Sequence, residues 1–174
     1  PFFFAASLCL TALAQEPTAG LPPPKPAADE SAFGAKICRT MTDLAMSTPA
    51  HRVPVRVLFY GQSITAQPWS AAIAERLKKE FPDADLTIKN RAIGGFEANR
   101  LIKTAREDLY PFYPDLVIFQ VYGGGNGELE SILSEIRRQT TAEIMISTHH
   151  VSHAGNDFIQ TEYDKQSKLI RNLA

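Results

Sequence analysis

Val55-Arg56-Val57-Leu58-Phe59-Tyr60 runs without a break into Gly61-Gln62-Ser63-Ile64-Thr65, so a β-branched and aromatic stretch stops at a small, polar turn. Its length and near-continuous apolar character predict a buried strand, and the glycine marks its end. In open α/β sheets, reactive groups collect in the crevice beyond the carboxyl ends of the strands. A serine three residues past such a strand is presented rather than packed, which makes Ser63 a candidate nucleophile.

Working outward from this strand, short β-rich runs alternate with amphipathic stretches. Strands are predicted at about Val55–Tyr60, Leu86–Lys89, Leu116–Tyr122 and Glu143–Ser147. Between them, apolar stripes predict helices: Trp69, Ala72, Ile73 and Leu77; then Ala98, Leu101, Ile102 and Ala105; then Leu129, Ile132, Leu133 and Ile136. Such alternation is the pattern of right-handed βαβ units on a parallel sheet, an α/β fold. A preceding helix is expected from Ser31 to about Ser47, stopped by Thr48-Pro49, and a final one from about Phe158 to Leu173. No strand follows the last helix, so the fold is expected to be truncated at its C-terminus.

Three successive strands end in glycine plus a polar group: Gly61 to Thr65, then Asn90-Arg91-Ala92-Ile93-Gly94-Gly95-Phe96, then Gly123-Gly124-Gly125-Asn126-Gly127. Acyl transfer needs a nucleophilic oxygen together with donors aimed at the oxyanion of the tetrahedral intermediate. Glycine exposes backbone N–H groups, and asparagine brings an amide.

These three blocks resemble those of the SGNH (GDSL-type) hydrolases and esterases, over a span from about Val55 to His150. The resemblance implies a flavodoxin-like three-layer α/β/α fold and a serine esterase. Gly61-Gln62-Ser63-Ile64-Thr65 is similar to the family's Gly-Asp-Ser-x-Thr, which makes Ser63 the nucleophile. Gly95, with Gly94 as the near alternative, matches the glycine whose N–H serves the oxyanion hole, and Asn126 matches the asparagine that donates from its side chain. Gln62 stands where the family usually has Asp. Since Gly-Gln-Ser occurs in related carbohydrate O-acetylesterases, the resemblance points to an acetyl ester on a sugar. Gly127 replaces the Asp that follows the family's asparagine, so that loop must be supported differently.

A serine hydroxyl needs a histidine to take its proton, and in this family the histidine lies in an Asp-x-x-His block. No Asp or Glu of the chain has His three residues later, so the catalytic His and Asp are expected beyond Ala174. His149, His150 and His153 follow the fourth strand. They are read first as solvated or capping loop residues, with substrate contact or a substitute base as the alternative. Metal binding is disfavoured, because His-His-x-x-His with only Asp157 nearby is thin support for a site. His51 lies before the first strand and is read as structural. Neither a metal nor a cofactor is expected. Trp69 and Gln67 are read as core or acyl-pocket residues, and Phe112 and Tyr113 as a hydrophobic clamp before a sugar-stacking surface.

The 174 residues carry a formal net charge of -1 and no long basic run, which argues against nucleic acid as a partner. Residues 1–14 form an apolar run closed by Ala12-Leu13-Ala14 and are read as a signal-peptide remnant without its initiator Met; the alternative is the stub of a membrane anchor, disfavoured because the run is shorter than a span. A secreted or periplasmic location follows. Residues 15–30, with five prolines from Pro17 to Pro26, are read as a linker, residues 31–50 as an N-terminal helical segment, and residues 51–174 as the incomplete hydrolase-like domain. Of the two cysteines, Cys9 would leave with the signal, and Cys38 is expected to be a buried structural thiol. The competing classes are a ligand-binding module on the same fold, without turnover, and an inactive fragment. The absence of Walker A and G-x-G-x-x-G patterns weakens a nucleotide-binding version.

Overall fold

The computed structural model describes residues 34–148, 164–165 and 167–170. The signal remnant, the linker, His149, His150, His153 and parts of the last helix lie outside the described residues.

Four strands, β1 (Pro54–Gly61), β2 (Asp85–Asn90), β3 (Leu116–Gln120) and β4 (Glu143–Ile146), form one sheet in the order β2-β1-β3-β4, all pairs parallel. The order and direction are those of a flavodoxin-like α/β fold, with the topological switch point between β1 and β3. The central strands owe their continuous apolar character to burial on both faces. Leu58 and Tyr60 of β1 and Val117 and Phe119 of β3 enter one core, and Val55, Val57, Phe59, Leu116 and Ile118 enter the other. As an edge strand, β2 is half-buried at best, with Leu86 and Ile88 on its inner side. β3 is two residues shorter than expected, since Val121 is buried but lies beyond the ladder.

Helices α1 (Cys38–Met46), α2 (Pro68–Glu80), α3 (Ala98–Asp108) and α4 (Glu128–Gln139) make the outer layers. The face carrying Leu58 and Tyr60 is covered by α3 and α4 and by Leu169 and Ile170 of the helix after β4; α1 and α2 cover the other face. The expected stripes of α3 and α4 are the observed ones, with Ala98, Leu101, Ala105, Leu129, Ile132, Leu133 and Ile136 all buried. Glu128 and Glu130 in the first turn of α4 and Arg137 and Arg138 in its last complement the helix dipole.

Two expectations are corrected. Ala72 and Ile73 lie on the exposed side of α2, which instead turns Trp69, Ser70 and Leu77 inward. Cys38 is exposed, not a buried thiol. The buried line of α1 is Thr40 and Leu44, one turn apart, and a residue two before Thr40 is rotated about 200° away from it.

The amino-terminal edge of the sheet is closed by hydrogen bonds. The N–H groups of Arg39 and Thr40 at the start of α1 donate to the Glu143 carboxylate at 3.0 and 2.8 Å, docking that helix on β4. Asp115 accepts the Arg56 N–H on its carboxylate and donates its own N–H to the Arg56 carbonyl, both at 2.8 Å. Burial alone would raise the Glu143 carboxyl. The Thr40 hydroxyl, the N–H groups of Thr40 and Arg39, and the Arg39 charge together hold it below the usual carboxylate range.

Candidate active site

At the opposite edge, β1 ends in Gly61, whose φ of 151° and close packing both demand glycine. A Cβ there would fall on the Gln120 carbonyl oxygen and 2.8 Å from Thr65 Oγ1. The chain then turns over itself, with the Ala66 N–H donating to the Gln62 carbonyl at 3.1 Å and the Gln67 N–H to the Ile64 carbonyl at 3.3 Å. Within that turn Gln62 and Thr65 are buried and Ser63 is exposed. Pro68 opens α2 immediately afterwards, its fixed φ suited to a first helical turn.

Trp69, read from sequence as core or pocket, anchors this turn. Its indole Nε1 donates to the Ile64 carbonyl at 2.6 Å, and its ring meets Phe59 edge-on at 5.7 Å. Gln67 lines a groove of about 520 Å³ between α2 and β2, along with Phe59, Ser70, Ile88 and Asn90. Ser63 does not line it, so this groove is separate from the serine's own surroundings.

The second loop is drawn against the first because pairing with β1 continues past β2. The N–H groups of Arg91 and Ile93 donate to the carbonyls of Phe59 and Gly61, both at 2.9 Å. Gly94 thereby arrives beside the serine, close enough that a Cβ on it would sit 3.9 Å from the Ser63 Cβ. The Phe96 N–H closes a tight turn onto the Ile93 carbonyl at 3.2 Å. At the third position of that turn Gly95 has φ +74°, the value a type II turn requires. Gly94 and Gly95 are both exposed.

The third loop leaves β3, the direct neighbour of β1, so it lies at the same edge and at the switch point. Gly124 is wedged between two helix starts, where an added Cβ would stand 2.8 Å from Leu129 Cβ and 3.2 Å from Ala98 Cβ. Gly127, at φ +89°, caps α4, and Asn126 is exposed, its N–H donating to Glu128 Oε2 at 3.2 Å. The Glu128 carboxylate and the left-handed backbone of Gly127 hold this loop at the start of α4.

Ser63, Gly94–Gly95 and Asn126 therefore all lie on loops at the carboxyl edge of the β2-β1-β3 strands. Several neighbours have structural roles that their place in the sequence blocks does not show. Asn90 hydrogen-bonds to three different segments around the turn. Gln62, Thr65 and Gln120 are buried with side-chain atoms that have no hydrogen-bond partner: Gln62 Nε2, Thr65 Oγ1 and both ends of the Gln120 amide. Tyr60, just before the turn, is fully buried, and its hydroxyl donates to the Leu101 carbonyl at 2.8 Å. Burial pushes its phenol up to about 12, which removes it as a proton acceptor near neutral pH.

The remaining sequence candidates fall elsewhere. His51 forms an isolated bridge with Thr48 ahead of β1, at the far edge, as a structural residue would. Phe112 is buried under the Arg56 guanidinium (4.6 Å) and near the Lys89 ammonium (5.2 Å), a clamp and not a stacking platform. Tyr113 is exposed but precedes β3, away from the serine. Among the described residues there is no group of three or more His, Cys, Asp or Glu able to hold a metal, and no helix long and apolar enough to cross a membrane.

Several solved esterases share this fold. An acetylxylan esterase from Geobacillus stearothermophilus, solved as a catalytic mutant with one histidine changed to alanine, superposes with a TM-score of 0.61. The identity is 17%, over 69% of this chain and 71% of that one. The same enzyme was also solved as a catalytic mutant with an aspartate changed to alanine. A second acetyl xylan esterase, AlAXEase, gives a TM-score of 0.57 at 18% identity over 69% of this chain and 72% of its own. A two-domain esterase active on acetylated mannans, co-crystallised with mannopentaose, gives 0.60 at 21% identity over 78% of this chain and 39% of its own. No family model matches the chain, and no curated protein sequence does. At these identities the likeness is one of fold.

Proposed function

We propose that this protein is a secreted serine esterase of the SGNH type that removes acetyl groups from a carbohydrate. The observation that carries the reading is the approach of the Gly94–Gly95 turn to the exposed Ser63 at the end of β1, imposed by the Ile93-to-Gly61 hydrogen bond. Support comes from the fold shared with acetylxylan and acetylmannan esterases.

In this reading Ser63 Oγ attacks the ester carbonyl carbon while a histidine outside the described residues takes its proton. The N–H groups of Ser63 and Gly95 and the Asn126 side chain hold the oxyanion. Collapse of the tetrahedral intermediate releases the sugar hydroxyl, protonated by the histidinium, and leaves acetyl on Ser63. A water molecule, deprotonated by the same histidine, then hydrolyses the acetyl-enzyme to acetate. No metal or cofactor enters these steps. The apolar N-terminus and proline-rich segment serve as export signal and tether.

The test is acetate release from acetylated xylo-oligosaccharides by the full-length protein. Ser63→Ala should lower kcat by at least about 10⁴-fold, as loss of a nucleophile does in serine hydrolases. Equal rates for the two proteins would remove Ser63 from the mechanism.

A further inference from the structure

The serine turn surrenders two of its carbonyls to side-chain N–H groups. Ile64 O accepts from Trp69 Nε1, and Thr65 O accepts from Asn90 Nδ2 at 2.8 Å. Trp69 is five residues along the same chain, so it moves with the turn. Asn90 is 25 residues away, at the end of β2, and it reaches the turn from the strand that launches the glycine loop. Its amide has two donor hydrogens and an acceptor oxygen, and each is directed to a different segment. Nδ2 also donates to Ser70 Oγ in the first turn of α2 at 3.0 Å, and Oδ1 accepts the Ala92 N–H at 2.9 Å. The orientation is forced, because a flipped amide would set its oxygen against the Thr65 carbonyl and its NH2 against the Ala92 N–H.

The Ile93-to-Gly61 backbone bond brings the two loops together, but the other buried polar side chains of the turn do not share the work of Asn90. Gln62 Nε2 and Thr65 Oγ1 are buried without partners, so neither restrains it. Asn90 thus joins the element bearing Ser63 to the element bearing Gly94 and Gly95. A tetrahedral oxyanion must be met by donors from both, and a misplacement of about 1 Å can cost on the order of 10²-fold in rate. We infer that Asn90 is a positioning residue which fixes the Ser63 turn at its working distance from the Gly95 N–H. This rests on the esterase reading for its effect on rate, but not for the tether itself.

The experiment compares Asn90→Ala, Asn90→Asp and Ser70→Ala in the full-length protein, with kcat and KM for an acetyl ester normalised to folded enzyme. Asn90→Asp is the informative variant, since it keeps the volume and the acceptor for Ala92 but turns a carboxylate oxygen toward the Thr65 carbonyl. Asn90→Ala and Asn90→Asp should each lower kcat by about 10- to 100-fold with KM within about 3-fold, whereas Ser70→Ala, which spares the Thr65 link, stays within about 3-fold in both. Amide exchange supplies a readout independent of turnover. The Ala66 and Ile93 N–H groups, which bond to the Gln62 and Gly61 carbonyls, should exchange faster in both Asn90 variants. Unchanged kcat in both variants, or an effect confined to KM, would overturn the positioning role. Ser63→Ala is measured in parallel. Should the parent prove no faster than Ser63→Ala, the esterase reading falls, and exchange alone decides: faster exchange upholds the tether, and unchanged exchange overturns it.

Discussion

Asp115, the residue just before β3, and Gln120, the last residue of that strand, lie five residues apart and meet opposite fates. At the lower end Asp115 is held by its neighbours: its carboxylate takes the Arg56 N–H, its N–H serves the Arg56 carbonyl, and its own carbonyl accepts from the Glu143 N–H and the Arg39 guanidinium. At the upper end Gln120 is buried more deeply than the half-buried Asp115, yet both ends of its amide lack partners, as do Gln62 Nε2 and Thr65 Oγ1 nearby. The lower edge is not perfect, for Arg39 Nε is also unpartnered. Even so, the contrast shows where the chain spends its hydrogen bonds. One edge holds helix to strand, and the other leaves polar groups and glycines about an exposed serine, the mark of a site kept at some cost to stability.

The contrast breaks first at Gly61 if it is wrong. Gly61→Ala puts a methyl group onto the Gln120 carbonyl at a backbone angle of 151°, so it should destabilise by about 3 kcal/mol or more, read from the urea midpoint. A loss under about 0.5 kcal/mol would mean that the upper edge is slack. Next comes Tyr60, the well-satisfied neighbour of this edge. Its phenol is raised from 10 to about 12 on folding, so the folded state favours the neutral form. That stabilisation is complete below pH 10 and fades as the pH climbs toward 12. Tyr60→Phe should cost about 1 kcal/mol at pH 7, and its deficit against the parent should shrink between pH 10 and 12 in thermal melts. A constant deficit across that window would contradict the buried, neutral phenol.

At the lower edge, Glu143→Ala deprives the start of α1 of its acceptor and should cost about 1 kcal/mol, with ester turnover per folded molecule unchanged. Because the Glu143 carboxyl is held below its ordinary range, its contribution is present above the unfolded pKa and is lost as pH falls through the folded one. Glu143→Gln should therefore flatten the acid side of the stability curve, and an unaltered acid limb would detach Glu143 from it. The smallest effect belongs to Gln120→Met. Removing a buried amide without partners should leave stability within about 0.5 kcal/mol or raise it. A cost above about 2 kcal/mol would show the amide satisfied and the two edges alike.

The strands, their parallel direction and three loops of the site were legible because each rests on a local signal, apolar continuity for β1 and β3 and glycine at each turn. Where the reading slipped, the signal was not local. Val121 and Tyr122 extend an apolar run beyond the last ladder bond, and nothing in their chemistry marks where pairing ends. Ala72 and Cys38 sit beside apolar neighbours at helical spacing, so one-dimensional periodicity could not choose which line faces the sheet. Asn90 reads in the sequence only as the first residue of the second glycine block. Its importance depends on Thr65 and Ser70, which come within reach only after β1 and β2 have paired.

Lys89, whose ammonium lies near the Phe112 ring across from the Arg56 guanidinium, bears on how the molecule behaves in a crowd. Among the described residues β2 is an edge strand, the sort of margin onto which a strand from another molecule can add. A newcomer pairing there would have to strip water from the exposed Lys89 ammonium, with the Arg56 guanidinium over the same ring. A lysine on an edge strand disfavours sheet-to-sheet growth, and Lys89 sets one on β2.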